Sequence, residues 1–106
     1  MEDVRARIHG ALYREHVVER MARRGILPSQ VLEAMLSPEA EIIEDYPGHR
    51  HGPCSLVLGW WDNHRPLHVV LGRQDPIWII SVWDPSIDPQ DRWEPNFRKR
   101  RRSAEG

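Results

Sequence analysis

The chain has 106 residues, of which 40% are hydrophobic and 29% are charged, with five Trp and a net charge of −1. This length and composition predict one globular domain with a modest core and argue against a disordered chain. No apolar stretch has membrane-spanning length, the N-terminal ten residues lack the apolar core of a signal peptide, and the lone cysteine, Cys54, excludes a disulfide within the chain. We therefore expect a cytoplasmic protein that does not contact a membrane.

The charges are unevenly distributed. Residues 1–24 contain six Arg and four acidic residues, residues 25–97 contain four Arg and eleven acidic residues, and residues 98–102 are all cationic. A basic start and a basic tail around an acidic middle suit an anionic partner such as RNA or an acidic protein. The alternative is a solvated helix face with a solubilising tail, and the two interpretations stay open at this point.

Two helices are predicted in the first third of the chain. Apolar residues recur at helical spacing from about Glu2 to Arg24, and Gly25 stands where a helix C-cap belongs. Gly10 weakens the middle of this stretch and either splits the helix or marks close packing. Pro28 begins a second, shorter helix, which ends before Pro38.

A small antiparallel sheet follows. EIIEDY predicts an edge strand, and the runs CSLVLGWW, PLHVVLG and PIWIISVW predict three more strands, joined by turns too short for anything but antiparallel neighbours. The predicted fold is one α+β domain over residues 1–106, with two helices packed on three or four strands and a core of about residues 2–85. Residues 86–106 predict an extended segment that ends in a short helix around Phe97–Arg102, with Trp93 anchoring it to the sheet edge.

The alternation of strand side chains predicts a site on one face of the sheet. If Trp60 packs beneath the helices, Trp61 must point to the other face, where His68 of the next strand also points. Gly59 and Gly72 lack side chains and would open a hollow beside His68 and Trp61.

Polar residues also form a stripe at helical spacing in the first predicted helix: His9, Tyr13, His16, Arg20 and Arg23. Imidazole groups transfer protons near neutral pH and guanidinium groups bind phosphate oxygens, so the stripe suits phosphodiester chemistry. Alternatively, the stripe is solvent-facing and Glu19 forms an ion pair with Arg23 four residues on.

Several segments in a fixed order resemble the small bacterial domain-of-unknown-function 4258 family: EHVVERMARRGI, EIIEDYP, GPCSLVLGW, RPLHVVLG, IISVWDPS and WEPNFRKRR, within about residues 14–102. That family is similar to the RelE/ParE-like toxins of type II toxin–antitoxin systems, alongside the BrnT and MqsR groups. The resemblance implies two helices packed on a small antiparallel sheet. For many members of that superfamily it also implies cleavage of mRNA without a metal and neutralisation by a co-expressed antitoxin.

The function that follows from this resemblance is a toxin-like, metal-independent endoribonuclease that cleaves single-stranded or messenger RNA through attack of the ribose 2′-OH. His16 and His68 are predicted to act as acid and base, with Arg20 stabilising the charge on phosphorus. The predicted RNA and phosphate contacts are Arg23, Arg65, Trp61, Arg98, Lys99, Arg100, Arg101 and Arg102. No cofactor is predicted, and the expected partners are RNA, free or on the ribosome, and a cognate antitoxin.

Two alternatives remain. Some ribonucleases of that superfamily place a catalytic Tyr or His after the last strand, where this chain has Trp93 and Phe97. The first alternative is therefore a non-catalytic partner-binding module, in which the EIIEDY strand pairs with a partner strand. The second alternative is a metal site at His49, His51 and Cys54, since imidazole and thiolate bind zinc, although so short a motif is a weak signal.

Overall fold

The computed structural model describes residues 1–50, 52–87 and 92–101, and within them it contains three α-helices and a five-stranded mixed sheet. The helices are α1 (Glu2–Arg7), α2 (Glu15–Arg23) and α3 (Pro28–Leu36), and a 3-10 helix covers Ile8–Gly10. The strands are β1 (Leu12–Tyr13), β2 (Glu41–Tyr46), β3 (Cys54–Trp61), β4 (Arg65–Gly72) and β5 (Trp78–Trp83). They lie in the order β1-β5-β4-β3-β2. The α+β class is confirmed, with one more helix and at least one more strand than predicted.

A single first helix from Glu2 to Arg24 does not form. The alternative that Gly10 splits it is confirmed, because the chain forms two α-helices separated by a 3-10 helix and a strand. After Gly10 the backbone turns extended at Ala11, with φ −62° and ψ 141°. The Leu12 amide then donates to the Ile77 carbonyl at 2.8 Å, and β1 pairs in parallel with β5. Gly10 is a poor helix former, and the strand pairing gives this backbone partners that a helix would otherwise supply.

The ends of the next two helices lie close to the predicted positions. Gly25 has φ +71°, and the Ile26 amide donates to the Met21 carbonyl at 2.8 Å, as in a Schellman motif at the end of α2. Helix α3 begins at Pro28 and ends at Leu36. Both signals were local in sequence, which is why they predict the structure well.

The three-strand block is confirmed as an antiparallel meander of β3, β4 and β5, with β2 paired to β3 at one edge of the sheet. The prediction that EIIEDY forms an edge strand is therefore confirmed. At the other edge β1 covers only the start of β5, through Leu12 with Trp78 and Tyr13 with Ile79.

The predicted assignment of the sheet faces is wrong for β3. Val57 and Trp61 belong to the core beneath the helices, and a Cβ built on Gly59 would lie 2.2 Å from the Ala34 carbonyl oxygen of α3. His68 pairs directly with Leu58 and so lies on the opposite face from Trp61. The predicted hollow between His68 and Trp61 therefore does not form, because α3 occupies the space above Gly59.

The C-terminal segment covers the face of the sheet that carries His68. Trp93 is 2% exposed, and its ring lies edge-on to His68 with 4.3 Å between centroids. The segment closes on itself through a bridge between Trp93 and Arg100, with Phe97 at φ +61° in the turn. Up to Arg101 the predicted short helix is thus wrong, and Trp93 anchors the segment to the central strand β4 rather than to the sheet edge.

Replacing Gly59 by Ala is expected to lower the free energy of unfolding by about 1–3 kcal/mol, the usual cost of overpacking. The added methyl group would overlap the Ala34 carbonyl oxygen, and backbone on both sides must move. Gly72→Ala is the matched control on the neighbouring strand, where the nearest atom would lie 3.8 Å away. Urea denaturation compares the two variants with the parent protein, and equal effects would contradict the close contact between α3 and β3.

Candidate functional site

A cleft of about 310 Å³ lies where the start of α2 meets the start of β5, and we call it the His16 cleft. Its lining combines basic, aromatic and small residues: Arg14, His16, Val17, Pro53, Gly72, Gln74, Pro76, Trp78 and Ile80. Of the predicted catalytic residues, only His16 lines it.

The short strand β1 positions Arg14 at the His16 cleft. Because β1 pairs in parallel with the start of β5, the chain leaves β1 at Arg14, beside Trp78. The guanidinium carbon of Arg14 lies 4.7 Å from the Trp78 ring centroid, a cation–π contact. Val17 is 2% exposed and fixes the first turn of α2 to the core, which leaves His16 exposed at the cleft.

The end of β4 contributes Gly72 to the lining of the His16 cleft. Gly72 was predicted to open a hollow, and it does line a cleft, although beside His16 and Trp78 rather than beside His68 and Trp61. A Cβ at Gly72 would make ordinary contacts with Trp78 and Ile80, so any larger side chain here would fill part of the cleft.

The predicted polar stripe is only partly formed. His9 lies in the 3-10 helix and Tyr13 in β1, so the prediction that they continue the line of His16 is wrong. His16, Arg20 and Arg23 do share α2, and all three are exposed.

The alternative interpretation of the stripe is confirmed in one part only: the stripe residues of α2 face solvent, but the ion pair between Glu19 and Arg23 is not formed. Within the part of the chain that the structure describes, neither Arg20 nor Arg23 makes an ion pair or a side-chain hydrogen bond. These two guanidinium groups are therefore available to an anion.

A second cleft, of about 300 Å³, lies at the other end of α2, and we call it the Trp83 cleft. Its lining residues come from the end of α2, the end of β5 and the chain beyond each: Arg23, Arg24, Ile26, Trp83, Asp84 and Ile87. Arg24 donates to the Val82 carbonyl at 2.6 Å and so fixes the end of α2 to β5.

The structure does not bring His68 to the His16 cleft. His68 is fully buried beneath the C-terminal segment, and its Nε2 lies 2.9 Å from the Phe97 carbonyl oxygen. A carbonyl oxygen only accepts hydrogen bonds, so Nε2 carries the proton and Nδ1 is an acceptor. That buried Nδ1 has no hydrogen-bond partner in the described part of the chain. Burial lowers the pKa of His68 from 6.5 to about 4, against the opposing hydrogen bond to Phe97 and the charge of Glu44.

Trp61 and Arg65 lie together, as the sequence prediction grouped them, but neither of them lines the His16 cleft. The Trp61 ring is 8% exposed on the helix-covered face of the sheet, with the Arg65 guanidinium carbon 4.6 Å from its centroid. Arg65 also forms an ion pair with Asp84 at 3.3 Å. These contacts give both residues structural partners within the chain.

Two of the predicted tail contacts are already occupied by the acidic strand β2. Arg98 lies 2.8 Å from Glu41, and Arg100 binds both carboxylate oxygens of Glu44, at 2.9 and 3.1 Å. Although burial alone would raise it, the pKa of Glu44 is held below its usual range by hydrogen bonds from Arg100 and Tyr46. The basic tail and the acidic middle of the chain therefore neutralise one another in part.

The other predicted tail residues differ in their surroundings. Lys99 is exposed, Arg101 donates to the Trp93 carbonyl at 2.7 Å, and Arg102 lies outside the described residues. The tail thus offers fewer unpaired cations than its sequence implies.

The described residues give no support to the predicted metal site. Cys54 is buried, its thiol contacts the Gly52 carbonyl, and burial raises its pKa, which disfavours the thiolate that zinc requires. His51 lies outside the described residues, and among those described no group of three or more His, Cys, Asp or Glu could hold a metal ion.

Arg14, Gln74 and Trp78 are site residues that the sequence analysis missed. Arg14 and Trp78 meet only through β1, and a two-residue strand leaves no periodic signal. The one available signal was that Trp78 directly follows the turn before β5, where aromatic residues often lie half exposed.

These elements define a small α+β domain with a basic helix beside one edge of a mixed sheet. The family described as "Domain of unknown function (DUF4258)" matches residues 13–84, well over half of the chain, and the chain therefore belongs to that family. All residues that line the His16 cleft fall inside the matched range. No curated protein and no solved structure matches the chain. No helix in the described residues is long and apolar enough to cross a membrane.

The neutral state of His68 makes stability depend on pH. Unfolded His68 binds a proton near pH 6.5 but folded His68 only near pH 4, so its contribution is complete above pH 6.5 and is lost as the pH falls toward 4. Between about pH 7.5 and about pH 5 we expect the free energy of unfolding to fall by about 2 kcal/mol from this group.

Urea denaturation at several pH values measures this effect. His68→Gln is the control, since an amide can still donate to the Phe97 carbonyl but does not titrate. Parallel stability curves for the parent protein and His68→Gln across this pH range would contradict the prediction.

Proposed function

We propose that this protein is a toxin-type, metal-independent endoribonuclease that binds single-stranded RNA at the His16 cleft. One observation carries the proposal: an exposed imidazole, a guanidinium group and an indole ring line the same cleft. Its volume of about 310 Å³ lies at the lower end of the range of ligand pockets, which suits one nucleoside.

The residues of the cleft match the parts of a nucleotide. Unpaired bases bind by stacking on aromatic rings and on guanidinium planes, and Trp78 with Arg14 over it supplies both surfaces. Arg20, one helical turn beyond His16, is free to bind a phosphate. Gln74 at the rim can donate and accept hydrogen bonds with a base edge.

In the proposed reaction His16 accepts the proton of the ribose 2′-OH as that oxygen attacks phosphorus. The bond from phosphorus to the 5′-oxygen breaks, and the protonated His16 returns the proton to the leaving oxygen, directly or through water. The products are a 2′,3′-cyclic phosphate and a 5′-hydroxyl. Arg20 stabilises the negative charge that gathers on the phosphate oxygens.

The proposal gives His68 no role at the RNA. The predicted pairing of His16 with His68 would require residues 92–101 to leave the sheet face, because they bury the His68 ring. Among the described residues no second histidine lines the His16 cleft, so the proposal assigns both proton transfers to His16.

A second candidate function is non-catalytic binding of a partner protein, as expected of a domain neutralised by an antitoxin in the cytoplasm. It is favoured by β2, which ends the sheet and, in the described part of the chain, has β3 as its only neighbour. Its outer edge could accept a partner strand. This candidate predicts a stable complex without RNA cleavage.

The test is cleavage of a labelled single-stranded RNA by the purified protein in excess EDTA. Because general acid–base catalysis contributes about 10²–10⁴-fold, His16→Ala should lower the rate at least about 100-fold. His9→Ala is the matched control, since His9 is also exposed but lies outside the cleft. The parent protein should leave a 5′-hydroxyl fragment.

Each alternative outcome has a distinct meaning. Cleavage that survives His16→Ala would remove His16 from the mechanism. No cleavage by the parent protein, either alone or with added ribosomes, would reject the ribonuclease and leave the partner-binding candidate.

A further inference from the structure

Both clefts lie along the same seam between α2 and β5. The His16 cleft joins the start of α2 to the start of β5, and the Trp83 cleft joins the two ends. Helix α2 therefore runs alongside β5 in the same direction, and Arg24 fixes this alignment through its bond to the Val82 carbonyl. Each cleft contains one tryptophan from β5 and arginine from the chain around α2.

The exposed cations of α2 connect the two clefts. At about 100° per residue, His16, Arg20 and Arg23 fall within about 60° of one another around the helix axis. Glu15 and Glu19 lie on the side of the stripe away from the buried face of α2. Arg20 and Arg23 thus form a line of exposed cations from His16 toward the Trp83 cleft, and Glu15 and Glu19 lie beside this line.

We infer that the seam from the His16 cleft through Arg20 to the Trp83 cleft is one binding track for a single strand of RNA, in which Arg23 and Trp83 hold the strand several nucleotides away from the scissile phosphate. This inference rests on the proposed function and adds a second subsite to it. From Trp78 to Trp83 the strand spans about 16 Å at about 3.3 Å per residue. That length corresponds to about five nucleotides of a stacked strand, which rises about 3.4 Å per nucleotide.

The chemistry of the Trp83 cleft suits a nucleotide rather than an isolated anion. Arg23 makes no ion pair or side-chain hydrogen bond within the described part of the chain and can bind a phosphate. The buried indole nitrogen of Trp83 has no hydrogen-bond partner there either, and the ring is partly exposed. Asp84 is held by Arg65 at 3.3 Å, so its charge is compensated and repels a phosphate less.

The test compares binding of two fluorescein-labelled oligonucleotides, one of two nucleotides and one of six, both with 2′-deoxyribose at every position so that they cannot be cleaved. The six-nucleotide strand should bind more tightly than the two-nucleotide strand. Arg23→Gln should weaken binding of the longer strand about tenfold and leave the shorter one unchanged. The slope of log affinity against log salt for the longer strand should fall by about 0.7, the value for one lost phosphate contact.

Arg92→Gln is the matched control, because it removes the same charge from an exposed arginine that lines neither cleft. It should change neither affinity more than about twofold. Thermal unfolding confirms that each variant is folded. In a separate competition experiment, a six-residue poly-glutamate peptide tests whether the seam is a protein-docking surface.

The outcomes separate this inference from the proposed function. If the six-nucleotide strand binds and His16→Ala abolishes RNA cleavage, but Arg23→Gln has no effect beyond that of Arg92→Gln, the track is wrong and the ribonuclease stands. If neither oligonucleotide binds the parent protein, the track is rejected, and the RNA cleavage assay decides separately on the ribonuclease. Displacement by the acidic peptide at the same concentration as by unlabelled oligonucleotide would identify the seam as a protein-docking surface and overturn the inference.

Discussion

The close contact between α3 and β3 determines which side of the sheet is available for function. A Cβ on Gly59 would stand 2.2 Å from the Ala34 carbonyl oxygen, so the backbones of helix and strand meet without a side chain between them. Once α3 lies there, Val57 and Trp61 must form the core beneath it, and their neighbours on β3 must face the other way. The opposite face, with His68 at its centre, is then left for the C-terminal segment to cover.

Because the C-terminal segment covers this face, the structure does not form the pair of His16 and His68 that the sequence predicted. Residues 92–101 bring Trp93 against His68 and are held to β2 by the Arg98–Glu41 and Arg100–Glu44 ion pairs. Exposed ion pairs contribute little each, but the bidentate Arg100 pair also lies over the Trp93 ring, which combines charge with burial. The His16 cleft, where we propose the chemistry, accordingly lies beside β5 and α2 and not on this covered face of the sheet.

Local signals predicted most of the fold, whereas contacts between distant residues were beyond the sequence. The strands and short turns of β3, β4 and β5, the Gly25 cap and the start of α3 at Pro28 depend on neighbouring residues, and all were predicted. The β1 pairing with β5, the face of β3 that meets α3 and the position of residues 92–101 depend on contacts between residues about 25 to 66 positions apart in the sequence. The same holds for the candidate site. His16 and Arg20 were predicted from a helical pattern, but the contact between Arg14 and Trp78 could not be predicted, because it forms only through β1.

The two edges of the sheet differ in how their charges are satisfied, and this difference is the strongest reason to place an anionic ligand at α2. At the β2 edge, Glu41 and Glu44 already bind the cations of the tail. A polyanion would have to break these ion pairs before it could form ion pairs of its own with the same cations. At the β5 edge, Arg20 and Arg23 have no carboxylate partner in the described residues, and binding a phosphate there breaks no ion pair. Since the net charge of −1 gives little long-range attraction, an anion must be held by local contacts, and unpaired guanidinium groups beside aromatic rings supply them.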